Sequence, residues 1–212
     1  MKSTLFNMVA VLFTITLIAS AGVGAVNMIT EDAIAEANRQ ATVAAVANVL
    51  PAFEKSEMST MTIDDMPINI YTAVDGSGAV VGYAVETMTM SGFSGKVRMM
   101  VGFDAEGTIL NVNVLEQSET PGLGSKMCDE GNVLLASVQG KNPANLKLKV
   151  KKDGGDIDAL TAATISSRAY ADAVARAYEA FKVASGAQES TDVSGATATH
   201  EGYDAQEGGD NE

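Results

Sequence analysis

The sequence predicts an α+β domain that follows a single apolar N-terminal segment. Alternating apolar and polar residues at 97–103 and 110–114 predict antiparallel strands that each have one buried face. The run from Ile165 to Ala184 places apolar or small residues at helical spacing instead, which predicts a closing helix. Strands joined by hairpins and covered by a helix form the antiparallel sheet of an α+β domain.

The N-terminal segment, Leu5–Ile29, contains no charged residue. At about 1.5 Å per residue, a helix of this length can cross a bilayer core of about 30 Å. Lys2 precedes the segment and Glu31 and Asp32 follow it, so the positive-inside rule places the N-terminus in the cytoplasm. A cleaved signal peptide is the alternative, because residues 19–21 resemble a cleavage site. The length of the apolar run favours a retained anchor.

Four regions are predicted along the chain. Residues 1–30 are a cytoplasmic N-terminus and a transmembrane helix, and residues 31–60 are a helical stalk that continues from the membrane. Residues 61–184 are one folded domain, because that length suffices for a single hydrophobic core. Residues 185–212 contain seven acidic residues and no Lys or Arg, which predicts a solvated, disordered tail.

Turn signals separate short elements within the folded domain. Asp75-Gly-Ser-Gly78 predicts a hairpin turn between strands at 69–74 and 79–88. A helix over 129–138 and a strand at 146–150 are predicted to lead to the closing helix.

Composition excludes several classes of site. The net charge of −13 argues against nucleic acid as a partner. Cys128 is the only cysteine, so no internal disulfide can form. The only histidine, His200, lies in the acidic tail, so we expect no zinc or iron–sulfur site and no other metal site.

A threonine stands where the closing helix is expected to begin. In Asp158-Ala-Leu-Thr161-Ala-Ala163-Thr164, the last residue suits the N-cap position. The free N–H groups of Ser166 and Ser167 and the positive end of the helix dipole would then favour a phosphate esterified to the Thr164 hydroxyl. An ordinary capped helix explains the same residues, and the sequence pattern leaves both interpretations open.

A glycine-rich loop, Glu119-Thr-Pro-Gly-Leu-Gly124, lies upstream of the threonine. Pro121 and Gly122 suit the two central positions of a type II turn, in which the glycine adopts a positive φ. Gly124 would let the backbone approach a ligand closely, and Leu123 could lie against a flat ring. An ordinary Pro-Gly loop is the alternative. The candidate ligand-binding residues of this loop are Glu119, Thr120, Gly122, Leu123 and Gly124.

Both motifs resemble those of a known family. Asp158-x-x-Thr161-x-Ala163-Thr164 resembles the flavinylation motif, Asp-x-x-Ser/Thr-Gly-Ala-Thr, of an FMN-binding domain. The G subunit of the Rnf electron-transport complex and the C subunit of the sodium-pumping NADH:quinone reductase share that domain. The loop at 119–124 resembles a second motif of the same family, residue for residue. The resemblance extends over about residues 1–184, including Gly92-Phe-Ser-Gly95.

The resemblance implies a covalent cofactor. In the family, a flavin transferase moves FMN from FAD onto the last threonine of the motif, which corresponds to Thr164. Asp158, Thr161 and Ala163 are the other matched positions, whereas Ala162 stands where the family has glycine. Ser194-Gly-Ala-Thr197 has the glycine but lacks the acidic residue and any following helix pattern. We therefore expect Thr164, rather than Thr197, to be the acceptor.

The resemblance also implies a function and a location. We expect an electron-carrying subunit, without a complete active site of its own, in a complex that couples electron transfer between ferredoxin and NAD to Na⁺ or H⁺ translocation. Its partners would be the other subunits of the complex and, during maturation, the flavin transferase. It would cross the cytoplasmic membrane once, with the FMN-binding domain outside. The alternatives are the quinone-reductase C subunit and a membrane-anchored flavin-binding sensory or interaction module.

Overall fold

The computed structural model describes residues 5–186 and residues 203–204. The chain separates into two compact units, Met1–Ala41 and Thr42–Glu212. The second unit contains an antiparallel sheet and the helices that pack on it, so the predicted α+β class is confirmed.

The first helix, α1, spans Leu5–Val49 without interruption. Its apolar part has a mean hydropathy of 2.2 over 18 residues, and no residue in that stretch is buried. Among the described helices, α1 alone is long and apolar enough to cross a membrane. The hydroxyl groups of Thr14 and Thr16 each donate to the carbonyl four residues earlier, at 2.8 Å. These polar groups are therefore satisfied inside the helix, as an apolar surrounding requires.

The region predicted as a helical stalk, 31–60, is helical only in its first part. α1 extends beyond the predicted membrane boundary and ends at Val49, just before Pro51. The first strand, β1, then occupies Lys55–Ile63. Its exposed positions carry Glu, Ser and Thr, so the stretch lacks the apolar alternation that identifies a strand from sequence. Pairing along its whole length with the next strand stabilises it instead.

Five strands form the body of the sheet. After β1 come β2 (Met66–Val74), β3 (Val80–Gly92), β4 (Gly95–Phe103) and β5 (Ile109–Gln117). Each of them pairs antiparallel with the strand that follows it. A two-residue strand, β6 (Tyr203–Asp204), pairs with the outer edge of β1, giving the order β5-β4-β3-β2-β1-β6. Residues 187–202 and 205–212 of the predicted acidic tail, which include Thr197, lie outside the described residues.

Each face of the sheet packs on a helix. The closing helix, α3 (Thr164–Ala184), presents Ala173, Ala177 and Phe181 to one face, where Val85 and Phe103 are fully buried. Alanines along this surface allow the helix to lie close to the strands. The other face carries a smaller core. There Val46, Val49 and Leu50, at the end of α1 and just after it, pack with the strand residues Tyr71, Ala84 and Met100.

The segment between β5 and α3 is less regular than its sequence predicts. The helix expected over 129–138 is shortened to α2 (Val133–Val138), because the Asn132 side chain accepts from the amides of Leu134 and Leu135 and so caps it there. The strand predicted at 146–150 is wrong, because only Val150 forms a bridge, to Ile157. Short 3₁₀ turns at Gly124–Cys128, Pro143–Asn145 and Lys151–Asp153 complete the segment.

Candidate functional site

The two motifs singled out in the sequence meet at an open cavity of about 310 Å³. The loop after β5, the turn between β3 and β4, and the start of α3 supply its walls. The structure thus brings residues that are about 40 positions apart in sequence onto one surface. The lining residues are Phe93, Glu119, Thr120, Leu123, Gly124, Ala162, Ala163, Thr164, Ile165 and Ser166.

Glu119 fixes the three walls of the cavity to one another. Its side chain is buried, with the residue only 4% exposed. One carboxyl oxygen accepts a hydrogen bond from the Ser166 hydroxyl in the first turn of α3, and the other accepts from the Ser94 amide at 3.0 Å. A buried carboxyl group needs such partners, because its desolvation is otherwise unfavourable. Glu119 therefore holds the loop, the β3–β4 turn and the helix start in one arrangement.

The Pro-Gly turn forms as its sequence predicts. The Leu123 amide donates to the Thr120 carbonyl at 3.1 Å, and Gly122 has a φ of 75°, as the third position of a type II turn requires. Gly124 lines the cavity, and it also has a packing role. A Cβ atom there would lie 2.7 Å from a Glu119 carboxyl oxygen and closer still to the Ser166 hydroxyl. The glycine thus makes room for neighbouring side chains of the protein itself.

Thr164 is the first residue of α3 and not its N-cap. Ala163 occupies the cap position, with a φ of −131°, and no side chain caps the helix. The Ser167 amide already donates to the Ala163 carbonyl at 3.0 Å, so its expected role as a free donor is wrong. Helix geometry leaves the amides of Thr164, Ile165 and Ser166 without an acceptor in the helix. The half-buried Thr164 hydroxyl is available, and it accepts from the Lys152 ammonium group at 3.3 Å.

Ala162 adopts a left-handed backbone conformation, with a φ of 60°. This is the position at which the flavinylation motif has glycine. An L-residue in this conformation costs roughly 1–2 kcal/mol relative to a right-handed one. The substitution of alanine for glycine therefore keeps the shape of the loop but leaves it strained.

The remaining motif residues lie outside the cavity lining. Asp158 is bound by the Lys151 ammonium group at 2.6 Å, and its backbone amide donates to the Ser137 hydroxyl at 2.9 Å. The hydrogen bond from Lys151, followed by smaller contributions from its charge and from Ser137, holds the pKa of Asp158 below its usual range. Thr161 is exposed. Neither side chain forms a hydrogen bond with the Thr164 hydroxyl.

Comparison with known proteins identifies the family. Residues 92–179 match the family described as FMN-binding domain. The G subunit of the ion-translocating oxidoreductase complex of Shewanella amazonensis is 35% identical over 173 residues, which cover 76% of this chain and 80% of that protein. The chain belongs to this family of G subunits. The G subunit of the Na⁺-translocating ferredoxin:NAD⁺ oxidoreductase complex of Acetobacterium woodii is 29% identical over 176 residues, covering 77% and 85%.

One solved structure is similar over part of the chain. The crystal structure of Shewanella oneidensis NqrC aligns with a TM-score of 0.37 at 22% identity, over 57% of this chain and 62% of that one. The domain match at 92–179, by contrast, includes every residue that lines the cavity. FMN is therefore the cofactor of the domain.

The apolar helix α1 and the membership of the G-subunit family together indicate a membrane protein.

The cavity residues fit FMN chemically. Phe93, Leu123 and Ile165 are apolar and 39% or more exposed, which suits contact with a flat aromatic ring. The free amides at the start of α3 and the Lys152 ammonium group are donors that suit a phosphate. The site thus offers an apolar wall and a set of phosphate donors side by side.

Three residues of this site have roles that the sequence pattern does not assign. The pattern favours Phe93 as a core residue first and a flavin neighbour second, whereas its side chain is exposed and lines the cavity. For Ser94 the pattern gives only the Gly92-Phe-Ser-Gly95 stretch that enters a strand. It assigns no role to the side chains of Ser166 and Lys152. No sequence signal could identify the Ser166 contact with Glu119, because it joins residues 47 positions apart.

Proposed function

We propose that Thr164 carries FMN through a phosphodiester bond. The observation that carries this proposal is the position of its hydroxyl group, which lines the cavity at the start of α3 opposite the Glu119–Gly124 loop. In the transfer, the Thr164 oxygen bonds to the FMN phosphorus of FAD and the P–O–P bridge breaks. AMP leaves, and the hydroxyl proton is released to solvent. No electrons are exchanged in this step.

The protein then serves as an electron-carrying subunit. Bound FMN supplies a centre that accepts and passes on electrons, while the protein fixes its position. We infer that the complex couples electron transfer between ferredoxin and NAD⁺ to ion translocation, as the name of the Acetobacterium woodii relative states for that protein. Both relatives described above are named as G subunits, which supports this assignment over the quinone-reductase C subunit. A covalent bond prevents such a carrier from losing its cofactor.

The acceptor is tested by producing the full-length protein with a flavin transferase, FAD and Mg²⁺. We expect one FMN per chain, seen as fluorescence that survives denaturation and as the added mass of the intact protein. Thr164→Ala removes the attacking oxygen and should abolish the signal, whereas Thr164→Ser keeps a hydroxyl and should retain it. Thr197→Ala is the control for the second motif. Covalent FMN in Thr164→Ala, or its loss in Thr197→Ala, contradicts the proposed acceptor.

We also propose that the protein crosses the cytoplasmic membrane once, with its FMN-binding domain outside. The uninterrupted apolar stretch of α1 and the single preceding Lys2 support this orientation. The protein should remain with membranes after a carbonate wash, and protease added outside the cytoplasmic membrane should digest the domain that contains Thr164. A mature N-terminus at Gly22 would indicate a cleaved signal peptide, and protection of the domain would reverse the orientation.

A further inference from the structure

We propose that Lys152 is a positioning residue for the transfer of FMN to Thr164. Its ammonium group contacts the acceptor oxygen before the transfer and pairs with the phosphodiester afterwards. This inference rests on the proposed acceptor, Thr164. It assigns a role to a segment, the 3₁₀ turn Lys151–Asp153, that lies outside both sequence motifs.

Three consecutive residues of this turn contact the flavinylation motif and the helix that follows it. Lys151 binds Asp158, the first residue of the motif, at 2.6 Å. Lys152 donates to Thr164, the last residue, at 3.3 Å. Asp153 accepts two hydrogen bonds from Arg168 of α3, at 2.7 and 2.8 Å. Residue 168 lies one helical turn beyond residue 164, on the same side of the helix.

The backbone of the turn is itself held in place. The Lys151 amide donates to the Ile157 carbonyl at 2.8 Å, and the Asp153 amide donates to the Val150 carbonyl at 2.8 Å. Gly154 ends the turn in the left-handed conformation, with a φ of 78°. A Cβ atom on Gly155 would overlap the backbone of Lys149, so the chain can reverse this tightly only with glycine there. Lys152 therefore extends toward Thr164 from a fixed backbone, so a contact with an anion orders only the side chain.

The charges around Thr164 differ from those of the whole chain. Residues 141–168 contain six Lys and Arg residues against three Asp residues, although the complete chain has a net charge of −13. Asp158 and Asp153 neutralise Lys151 and Arg168 through the ion pairs already described. The charge of Lys152 acts on the neighbouring Asp153 and helps to lower its pKa, but among the described residues no carboxyl group forms an ion pair with Lys152. Its charge is therefore available to an anion at the Thr164 oxygen.

The chemistry of the transfer needs a cation at this point. FAD carries its negative charge on the oxygens of the two phosphates, and the phosphodiester product keeps one negative charge beside the Thr164 oxygen. A lysine ammonium group has three N–H donors, so it can contact both the acceptor oxygen and a phosphate oxygen. Positioning and charge stabilisation provide most of the catalysis in phosphoryl transfer. Lys152 thus allows the flavinylated protein itself, and not only the transferase, to contribute positioning and charge stabilisation.

The experiment measures the initial rate of flavinylation of full-length protein in detergent, with purified transferase, FAD and Mg²⁺. Covalent FMN is followed by in-gel fluorescence and intact mass. Lys152→Gln should lower the rate about tenfold or more, which is within the range expected for a lost positioning contact. Lys152→Arg keeps the charge and should restore the rate to within about threefold of wild type.

The matched control is Lys149→Gln, which removes the same charge from the same segment. Lys149 acts electrostatically on Asp153, and its removal should change the rate less than about twofold.

Salt dependence separates a charge contact from a structural role. The wild-type rate should fall as ionic strength increases, because the Lys152 charge is exposed and therefore screened. The rate of Lys152→Gln should be clearly less dependent on salt, with an unchanged thermal midpoint. A Lys152→Gln rate equal to that of Lys149→Gln overturns the inference and leaves Thr164 as the acceptor. Covalent FMN on a Thr164→Ala chain would instead overturn the proposed acceptor and this inference together.

Discussion

The two loops that form the cavity are stabilised in opposite ways. In the loop at 119–124, the acidic residue Glu119 is buried and accepts hydrogen bonds from Ser94 and Ser166, which belong to two other elements. A glycine, Gly122, occupies the position with a positive φ. In the loop at 158–164, the acidic residue is about half exposed, with a side chain 48% accessible, and pairs with a lysine. An alanine occupies its left-handed position. The acidic residue of the first loop is held in the interior, and that of the second loop is held at the surface.

This difference corresponds to the different functions proposed for the two loops. A wall that shapes a cofactor site gains from buried contacts, because they define a single arrangement. A modification site must remain accessible to the enzyme that modifies it, and the Asp158–Lys151 ion pair of the second loop is accordingly exposed. The comparison predicts large stability effects for substitutions in the first loop. In the second loop, it predicts small stability effects and larger effects on flavinylation.

The largest effect is expected at Glu119. Glu119→Ala removes the acceptor of the Ser94 and Ser166 hydrogen bonds and leaves the buried Ser166 hydroxyl without this partner. We expect the free energy of unfolding to fall by about 3 kcal/mol, since each hydrogen bond to a charged group contributes about 1.5–3 kcal/mol. Denaturant unfolding of the detergent-solubilised protein, followed by tyrosine fluorescence, measures this change. Asp158→Ala is the matched control in the other loop, and equal losses from the two variants would contradict the distinction.

Gly124→Ala tests how closely the first loop is packed. A methyl group there meets Glu119 and Ser166, so we expect a loss of about 2 kcal/mol from overpacking. Gly122→Ala is the control, because no atom lies within 4 Å of a Cβ at that position. Its positive φ alone should cost about 1 kcal/mol. The same unfolding measurement applies, and a smaller loss at position 124 than at 122 would show that Glu119 and Ser166 move aside freely.

Ala162→Gly should stabilise the second loop. Glycine relieves the strain of the left-handed conformation but has more freedom in the unfolded chain, so we expect a net gain of about 0.5–1 kcal/mol. Ala163→Gly is the neighbouring control, since its φ of −131° carries no such strain. That variant should lose stability. A loss in Ala162→Gly as well would mean that the alanine methyl group makes a stabilising contact that outweighs the strain.

The smallest effect on stability is expected at Asp158, and it should depend on pH. The Lys151 hydrogen bond lowers the pKa of Asp158 in the folded protein, so the pair stabilises the fold at pH values above the unfolded pKa, about 3.9. That contribution is lost as the pH falls through the lower, folded pKa. The thermal midpoints of wild type and Asp158→Asn should therefore differ at pH 5–8 and converge as the pH falls through the folded pKa of Asp158. A difference that persists in acid would contradict the ion pair as its source.

Asp158→Asn should also lower the rate of flavinylation at pH 7. Asp158 holds Lys151, and that contact joins the motif to the turn that carries Lys152. The transferase assay measures this effect, with Lys151→Gln as the matched variant from the other side of the pair. Wild-type rates in both variants would show that the ion pair only stabilises the turn.

The sequence alone identified most of the elements that surround the site. Strands β2 to β5 and helix α3 follow from the period of their apolar residues, and the turn at Gly122 follows from the local chemistry of Pro-Gly. These features depend on residues close together in the chain. The positions of the two motifs at strand and helix ends were therefore predictable, although their contacts were not.

Local patterns failed where pairing with a neighbouring segment decides the structure. β1 lacks clear apolar alternation and exists because β2 pairs with it, through a hairpin whose turn residues, Asp64 and Asp65, both have a positive φ. The expected strand at 146–150 is replaced by a turn, since Gly155 allows the backbone to fold back on Lys149. In both places a tertiary contact outweighs the local propensity.

The sequence by itself determined that a threonine begins the last helix, that a Pro-Gly loop precedes it, and that an apolar segment begins the chain. Only the tertiary structure showed that Glu119 joins the two motifs through Ser166 and that Lys152 reaches Thr164. The physical reason is that periodicity and turn chemistry act between near neighbours in the chain. A hydrogen bond across 47 residues, or an ammonium group at the end of a flexible side chain, depends on how the whole domain packs.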